Sequence, residues 1–218
     1  LGISPQPLDT SVYTLLDGTK LATDIIQRTE LKSLDVVPAG PDLYGIDIDL
    51  ATQDDRLYKL QKALQPVQDN YELILIDCPP SLSLLTLNAL CAGHSVLIPM
   101  QCEYYALEGL SQLMRTVEMV RAGPNPNLEV EGVLLTMFDG RNNLARQVAS
   151  DVRGHFQEKV YHSVIPRNVR LSEAPSFGKP IILYDIKSRG CQSYIDLARE
   201  VLEQDHIRRV NPTSVSLP

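Results

Sequence analysis

The chain has 218 residues and a mass of 24.3 kDa, which is enough for one α/β domain with a substantial core. Its composition, 44% hydrophobic and 22% charged residues, is ordinary for a globular protein, and no apolar run approaches the roughly 18 residues of a membrane-spanning helix. The formal net charge of −7 argues against nucleic-acid binding by the chain as a whole.

The amino-terminal third of the chain predicts short elements. The apolar patch Val12–Leu16 indicates a short helix, and the β-branched run Leu34–Pro38, closed by proline and glycine, indicates a strand. Between Ile46 and Val67 leucines recur at helical spacing on a charged segment, which predicts a helix with one buried face.

The stretch Tyr71–Pro80, YELILIDCPP, predicts a strand buried on both faces of a parallel sheet, because an unbroken apolar run ends in an acid and two prolines. Ligands of open α/β sheets bind at the carboxyl ends of strands. Asp77 is therefore a candidate for a Walker B aspartate, which holds Mg²⁺ opposite bound phosphates. The alternative is a strand-terminating acid that accepts hydrogen bonds from nearby backbone amides.

After Pro80 the predicted strands and helices alternate, with short connections. The predicted strands are Ser95–Met100, Val130–Met137, Tyr161–Ile165 and Ile181–Tyr184, and the predicted helices are Ser83–Cys91, Tyr105–Arg121, Asn142–Phe156 and Ser193–Leu202. This alternation predicts an α/β fold that is doubly wound, with a mostly parallel sheet and helices on both faces. Residues 1–210 are expected to form a single domain and residues 211–218 a disordered tail.

The four cysteines, at positions 78, 91, 102 and 191, show no close spacing, so neither a zinc site nor a disulfide framework is expected. They fit a reducing, cytoplasmic location, where cysteine is a small apolar residue.

The phosphate-binding sequence GxxxxGK[ST] does not occur in these 218 residues. Gly40 and Gly45 have the spacing of its two glycines, but Ile46 and Asp47 follow in place of the lysine and hydroxyl. Gly178-Lys179 is followed by Pro180, with Glu173 where the first glycine belongs. The residues alone thus indicate no phosphate cradle.

Four segments closely resemble ParA/Soj-type chromosome and plasmid partitioning ATPases, which are P-loop NTPases with a deviant Walker A loop. These segments are ILIDCPPSL (74–82), SVLIPMQCEYYALEGL (95–110), EGVLLTMFDGRNNL (131–144) and VIPRNVRLSEAPSFGKPIILYD (164–185). In that family a βαβ unit with two phosphate-binding lysines, and then a switch I aspartate, precede the position of Leu1. The resemblance implies that this unit, roughly 50 residues, is missing from the sequence.

The resemblance also implies the residues of an ATP and Mg²⁺ site. It makes Asp77 the Walker B and switch II acid, which reaches Mg²⁺ through water, and it makes residues 78–80 the switch II loop. It places Met137, Pro166, Arg167 and Asn168 in loops that face the adenine. Asn168 can donate and accept hydrogen bonds in the plane of a base, but a turn residue bonded to its own backbone remains the alternative.

A DNA-binding surface is implied in the second half of the chain. Residues 1–110 carry 6 basic and 15 acidic residues, whereas residues 111–218 carry 14 and 12, so a local basic patch is possible there. Arg141 and Arg170 resemble the arginines with which the family contacts double-stranded DNA without sequence preference, and guanidinium groups suit phosphate contacts. Ordinary solvated arginines are the alternative.

The segment Gln101–Leu110 resembles the family's dimer and partner surface. The alternative is a helix entry in which Tyr104 and Tyr105 are packed and have no further role.

By resemblance the chain is an ATPase for chromosome or plasmid partitioning. ATP drives formation of a homodimer that binds DNA, and a ParB-type partner stimulates hydrolysis, in the cytoplasm and on the nucleoid. No membrane partner is expected, because Tyr194–Val210 lacks the pattern of a basic amphipathic helix. Without the lysine-bearing loop these 218 residues alone are expected to be inactive. The alternative is a non-enzymatic truncated paralogue or fragment that binds DNA or a partner.

Overall fold

A computed structural model describes residues 1–3, 10–79, 81 and 83–210, and the side chains up to residue 204. The predicted disordered tail, residues 211–218, and Pro80 of the predicted switch II loop lie outside the described residues.

Between residues 84 and 166 the helices and strands alternate as predicted. The helices are α1 (Val12–Leu16), α2 (Ala22–Ile25), α3 (Ile46–Asp49), α4 (Lys59–Leu64), α5 (Leu84–Ala92), α6 (Ala106–Arg121), α7 (Asn143–Phe156), α8 (Val169–Glu173), α9 (Ile181–Tyr184) and α10 (Arg189–Val210). The strands are β1 (Gln27–Arg28), β2 (Asp35–Val36), β3 (Ser95–Gln101), β4 (Glu129–Phe138) and β5 (Val160–Pro166).

The larger sheet has the strand order β3-β4-β5, and β4 and β5 run parallel. Their pairing joins Val133 with Val160, Leu135 with Val164 and Phe138 with Pro166, so it shifts twice along the pair. Each shift marks a bulge, which bends a strand and re-aims its side chains. One shift lies at the carboxyl ends of the two strands. The smaller sheet is the antiparallel pair β1-β2.

One compact unit comprises residues 1–96 and 112–129. Its core brings together buried aliphatic side chains of α1, α2 and the segment around α3, including Leu16, Ile25, Ile46 and Leu50. Asn88, 1% exposed on α5, donates from Nδ2 to the carbonyls of Arg56 and Leu84 and accepts from the Leu60 amide. A buried amide with all these bonds fixes the position of α5 against α4.

The second unit comprises residues 97–111 and those from 130 onward. Leu134 of β4, Tyr161 and Ile165 of β5 and Leu197 of α10 form its buried cluster. A Cβ at Gly132 would lie 2.7 Å from Cε2 of Tyr161, so only glycine allows the tyrosine ring to pack this closely against β4. The single domain expected over residues 1–210 stays a prediction.

The prediction of a strand at Tyr71–Pro80 is wrong for the residues that the structure describes. Residues 71–79 pair with no strand, and Leu73, Ile74 and Leu75 are 55%, 38% and 84% exposed. The apolar pattern indicates only that burial would be favourable, whereas a strand also requires a neighbouring strand to bond its amides and carbonyls. No described residue supplies that neighbour.

Further predictions were wrong in kind or extent. The helix predicted between Ile46 and Val67 is interrupted, and only Ile46–Asp49 and Lys59–Leu64 are α-helical there. Ile181–Tyr184 is a helix, because Pro180 caps it and its carbonyl accepts from the amides of Leu183 and Tyr184. The strand predicted at Leu34–Pro38 shrinks to Asp35–Val36.

Candidate functional site

A polar cavity of about 310 Å³ lies at the carboxyl ends of the three strands of the larger sheet, within the second unit. The lining residues lie at or just after the ends of β3, β4 and β5, or at the start of α7: Gln101, Cys102, Glu103, Met137, Asp139, Asn142, Ala145 and Arg167. The sequence predicted Met137 and Arg167 as binding residues, and the structure places both in this one cavity. Strand carboxyl ends are where open α/β sheets bind ligands.

Met137 has an unusual backbone for a residue with a side chain. Its φ is 51°, in the left-handed region, and its side chain is 40% exposed at the second register shift of β4. The conformation costs a non-glycine residue about 1 kcal/mol or more, and such strain is concentrated at functional sites. The structure therefore adds a physical reason to consider Met137 functional.

The segment Pro166–Asn168 begins at the last residue of β5, and its backbone stays bonded to β4. The amide of Arg167 donates to the carbonyl of Phe138 at 3.2 Å, which holds this segment beside the end of β4. Asn168 caps α8, and its Oδ1 accepts from the amide of Arg170 at 2.9 Å. The local turn considered as the alternative for Asn168 is thus present, and its Nδ2 donates to none of the described residues.

Asp139 and Arg141 form an ion pair at the edge of the cavity. The Asp139 carboxylate accepts two hydrogen bonds from the Arg141 guanidinium, at 2.9 and 2.8 Å, and one from the Arg141 amide. These bonds, with a smaller contribution from the charge of Arg167, lower the pKa of Asp139 to about 2. The Arg141 side chain is 92% exposed, so it can reach solvent or a ligand while it is held by Asp139.

Arg170 is also paired with acids rather than simply solvated. Its guanidinium lies 2.9 Å from Glu173 and 3.4 Å from Asp185, and the bond to Glu173 is the main reason that its pKa is raised. Two fixed carboxylates orient the guanidinium, but they also offset the positive charge that a phosphate would meet.

Asp77 belongs to the first unit, and it is exposed. Its carboxylate accepts no hydrogen bond from the described residues. The alternative considered for Asp77, a strand-terminating acid bonded to backbone amides, is therefore absent from the part of the chain that the structure describes. Thr86 Oγ1 of α5 donates to the carbonyl of Ser81 at 2.5 Å and lies 3.5 Å from the carbonyl of Pro79.

The chemistry of Asp77 fits Mg²⁺, because a free carboxylate oxygen is a ligand that this ion prefers, directly or through water. In the described ranges no three His, Cys, Asp or Glu side chains cluster as a direct metal site.

The segment Gln101–Leu110 contributes to the cavity in a way that the sequence did not predict. Gln101 and Glu103 line it, while Tyr104 and Tyr105 are each 73% exposed and contact one another edge to face at 5.0 Å. The alternative of a helix entry with packed tyrosines is therefore wrong.

Asp139, Asn142, Gln101, Cys102 and Glu103 line the cavity, and the sequence did not predict them as binding residues. One signal could have found them: each follows the carboxyl end of a correctly predicted strand within a few residues. Asn142 also caps α7, where its Oδ1 accepts from the amide of Leu144, so its position in the cavity follows from a common helix-capping pattern.

The chain matches one protein-family model and several relatives with related names. An AAA domain model matches residues 1–130. Chromosome partitioning protein ParA of Myxococcus xanthus is 56% identical over 94% of this chain and 72% of its own length. Sporulation initiation inhibitor protein Soj of Bacillus subtilis is 55% identical over 92% of this chain and 79% of its own length.

Solved structures match over similar lengths. Cobyrinic acid a,c-diamide synthase from Mycobacterium smegmatis, with bound ADP and magnesium, matches with a TM-score of 0.79 and 33% identity, over 94% of this chain and 76% of that one. The cell division ATPase MinD of Pyrococcus furiosus matches with a TM-score of 0.72 and 23% identity, over 91% and 78%.

The chain therefore has the α/β fold of P-loop NTPases, with a parallel sheet flanked by helices, as its sequence predicted. Within that class it belongs to the ParA/Soj family of chromosome-partitioning ATPases, which confirms the resemblance seen in the sequence. None of the described helices has the length and apolar character needed to cross a bilayer.

Proposed function

We propose that the protein is a partition ATPase that moves chromosomal or plasmid DNA. ATP drives formation of a homodimer, the dimer binds double-stranded DNA without sequence preference, and a ParB-type partner stimulates the hydrolysis that releases it. The protein acts in the cytoplasm, on the nucleoid. Support comes from 56% and 55% identity to proteins named ParA and Soj, over more than nine-tenths of the chain.

The observation that carries the nucleotide-binding part is the polar cavity at the carboxyl ends of β3, β4 and β5, with the strained Met137 at its edge. In this proposal Met137, Pro166, Arg167 and Asn168 bind the base. Asn168 Nδ2 remains available to a base nitrogen or carbonyl while Oδ1 caps α8.

Asp77 has a separate role in the proposal, because it orients water molecules around Mg²⁺. The ion, when bound, neutralises charge on the phosphates. Asp77 is suited to this role because it is exposed and its oxygens accept no hydrogen bond from the described residues.

Catalysis by such a site also requires a phosphate-binding loop, and GxxxxGK[ST] does not occur in these 218 residues. We therefore propose that the 218 residues alone bind and hydrolyse Mg-ATP poorly. The alternative to an ATPase is a non-enzymatic module that acts through the DNA-binding or partner-binding surface.

Binding of a fluorescent ATP analogue to the protein made from its own gene tests the base-binding role. Arg167→Ala and Asn168→Ala each remove one proposed contact, and loss of such a contact should weaken binding by about tenfold. Arg146→Ala is the matched control, because Arg146 is exposed and is not one of the proposed base-binding residues. Equal binding by the two site variants and the control would exclude Arg167 and Asn168 from the base site.

DNA binding is tested with Arg141→Ala and Arg170→Ala in the presence of ATP. Each loss of a phosphate contact should weaken binding to duplexes of unrelated sequence to the same extent. It should also reduce the salt slope, which is the slope of the logarithm of the binding constant against the logarithm of the salt concentration, by about one. Arg115→Ala, an exposed arginine elsewhere in the chain, is the control. An unchanged salt slope in both variants would leave these arginines outside the DNA interface.

A further inference from the structure

Arg170, one of the two arginines proposed to bind DNA, lies between two acids of the second unit. Its Nη1 donates to Oε2 of Glu173 at 2.9 Å, and its Nε lies 3.4 Å from Oδ2 of Asp185. Among the described residues no other Lys, Arg or His forms an ion pair with either acid. Arg170, Glu173 and Asp185 are together called the acid clamp.

The charges of the acid clamp oppose the approach of a phosphate. One guanidinium carries a single positive charge and faces two carboxylates, so the three side chains together are negative near neutral pH. A DNA phosphate that approaches Arg170 therefore meets a net repulsive charge while both acids are in place. Arg141 differs, because its guanidinium is ion-paired with Asp139 alone among the described residues.

Glu173 is the more firmly held of the two acids. It lies on α8 three positions after Arg170, and its Oε2 also accepts from the Tyr184 hydroxyl at 3.2 Å. The ring of Phe177 stacks on that of Tyr184, with 5.0 Å between the ring centroids, and this packing helps to fix the tyrosine. Glu173 can therefore leave Arg170 only if it also breaks its bond with Tyr184.

Asp185 is positioned by backbone bonds at the end of α9. Its amide donates to the Ile181 carbonyl at 2.9 Å, and its carbonyl accepts from the Ser188 amide and hydroxyl at 3.1 and 2.8 Å. The Asp185 side chain is 32% exposed and makes the longer of the two contacts with Arg170. A phosphate can therefore replace Asp185 more readily than Glu173.

We infer that the acid clamp limits DNA binding by Arg170, so that a backbone phosphate binds the guanidinium only when it displaces a carboxylate. Glu173 provides most of this restraint, and Tyr184 holds Glu173 in place. The inference rests on the proposed DNA-binding function and concerns the regulation of the same surface. The opposite arrangement, in which the acids orient Arg170 towards phosphate, predicts weaker DNA binding when the acids are removed.

Fluorescence anisotropy with a labelled duplex, ATP and the protein made from its own gene tests the inference. We expect Glu173→Gln to bind the duplex about threefold more tightly than the wild type, and the double acid variant, Glu173→Gln/Asp185→Asn, about tenfold more tightly. The double acid variant should also have a steeper salt slope, by up to about one, because no carboxylate has to be released and take up a cation when DNA binds.

Matched variants separate the acid clamp from a general loss of negative charge. Glu158→Gln/Glu203→Gln removes two exposed acids of the same unit and should change the affinity by less than about twofold. The double acid variant is also made together with Arg170→Ala. Its gain in affinity should then be at least about threefold smaller, because no guanidinium is left to release. Circular dichroism checks that each variant is folded.

The role of Tyr184 is tested by Tyr184→Phe, which removes only the hydroxyl that donates to Glu173. This variant should bind DNA more tightly than the wild type, but with a smaller gain than Glu173→Gln, because the carboxylate remains. Tyr194→Phe is the control, since Tyr194 is a 41% exposed tyrosine on α10 of the same unit. It should bind DNA as the wild type does.

Two results would overturn the inference and leave the proposed function standing. In the first, Arg170→Ala weakens DNA binding, but the double acid variant binds no more tightly than the wild type. In the second, the double acid variant gains equally with and without Arg170. If Arg170→Ala changes DNA binding neither in the wild type nor in the double acid variant, the proposed DNA contact of Arg170 fails together with the inference.

Discussion

At the scale of single residues, Met137 belongs to β4 and also lines the cavity of the candidate site. Its left-handed φ of 51° can be tested by comparing glycine and alanine at the same position. Both changes remove the side chain, but only glycine relieves the backbone strain of about 1 kcal/mol. We expect Met137→Gly to be at least as stable as Met137→Ala in urea denaturation.

The control for that comparison is Thr136, which precedes Met137 in β4 and does not have a positive φ. There glycine should be less stable than alanine by about 0.5–1 kcal/mol, as is usual within a strand. A glycine penalty of equal size at both positions would contradict the strained backbone at Met137.

The ion pair of Asp139 and Arg141 makes a prediction about pH. Its bonds lower the pKa of Asp139 to about 2 from an ordinary 3.8, so the pair's contribution is complete above about pH 4 and is lost as the pH falls through 2. We expect Arg141→Gln to return the pKa of Asp139 towards 3.8 in a carboxyl-detected NMR titration. Arg146→Gln should leave it unchanged, and an unchanged value in Arg141→Gln would show that the pair does not persist in solution.

At the scale of elements, Glu200 on α10 compensates for the bulge in β5. Between the pairs Val133–Val160 and Leu135–Val164 the strand β5 has two extra residues, and the Glu200 carboxylate accepts from the amides of His162 at 2.6 Å and Ser163 at 2.9 Å. These bonds lower the pKa of Glu200 although burial opposes them. The helix thus satisfies strand amides that the bulge would otherwise leave without partners.

Glu200→Gln should therefore destabilise the protein by about 1 kcal/mol near neutral pH, because an amide offers one acceptor oxygen in place of two. The folded-state pKa is lowered, so the difference between wild type and variant should shrink as the pH falls below the unfolded-state pKa of about 4.3. Glu203→Gln, an exposed position on the same helix, should have almost no effect. Similar losses in both variants would argue against the two backbone bonds.

In the first unit, Asn88 of α5 likewise satisfies backbone groups with its side chain, and it connects α5 to α4. Asn88→Ala leaves the carbonyls of Arg56 and Leu84 and the amide of Leu60 without this partner and should cost about 2–3 kcal/mol of unfolding free energy. Asn70→Ala is the same change at an exposed position and should cost under about 0.5 kcal/mol. Equal costs in thermal or urea unfolding would mean that the Asn88 network does not hold these helices together.

The elements also show how far the sequence could predict the fold. The strands β3, β4 and β5 and the helices α5, α6 and α7 were predicted to within about two residues, because local apolar patterns and caps determine them. The segment 71–79 has an equally strong pattern but is not a strand, since pairing depends on a neighbour that a local pattern cannot indicate.

In the candidate site, too, some residues could be predicted from the sequence, whereas the long-range contacts could not. Met137 and Arg167 could be predicted because strand ends and family resemblance both identify them, and the structure places them in one cavity. The contacts of Glu200 with His162 and Ser163 span 37 or 38 positions, and those of Asn88 with Leu60 and Arg56 span 28 and 32. No spacing rule for local elements reaches that far, so these contacts required the structure.

At the scale of the whole molecule, the proposed function requires that this ParA/Soj-family protein hydrolyses ATP and that Asp77 positions water around Mg²⁺. The most direct test is steady-state Mg-ATP hydrolysis by the protein made from its own gene, with duplex DNA and its ParB-type partner present. We expect partner-stimulated turnover in the wild type, a loss of about tenfold or more in Asp77→Asn, and little change in the control Asp69→Asn. Turnover that Asp77→Asn leaves intact would contradict the role of Asp77, and no turnover in the wild type would contradict the proposed ATPase function.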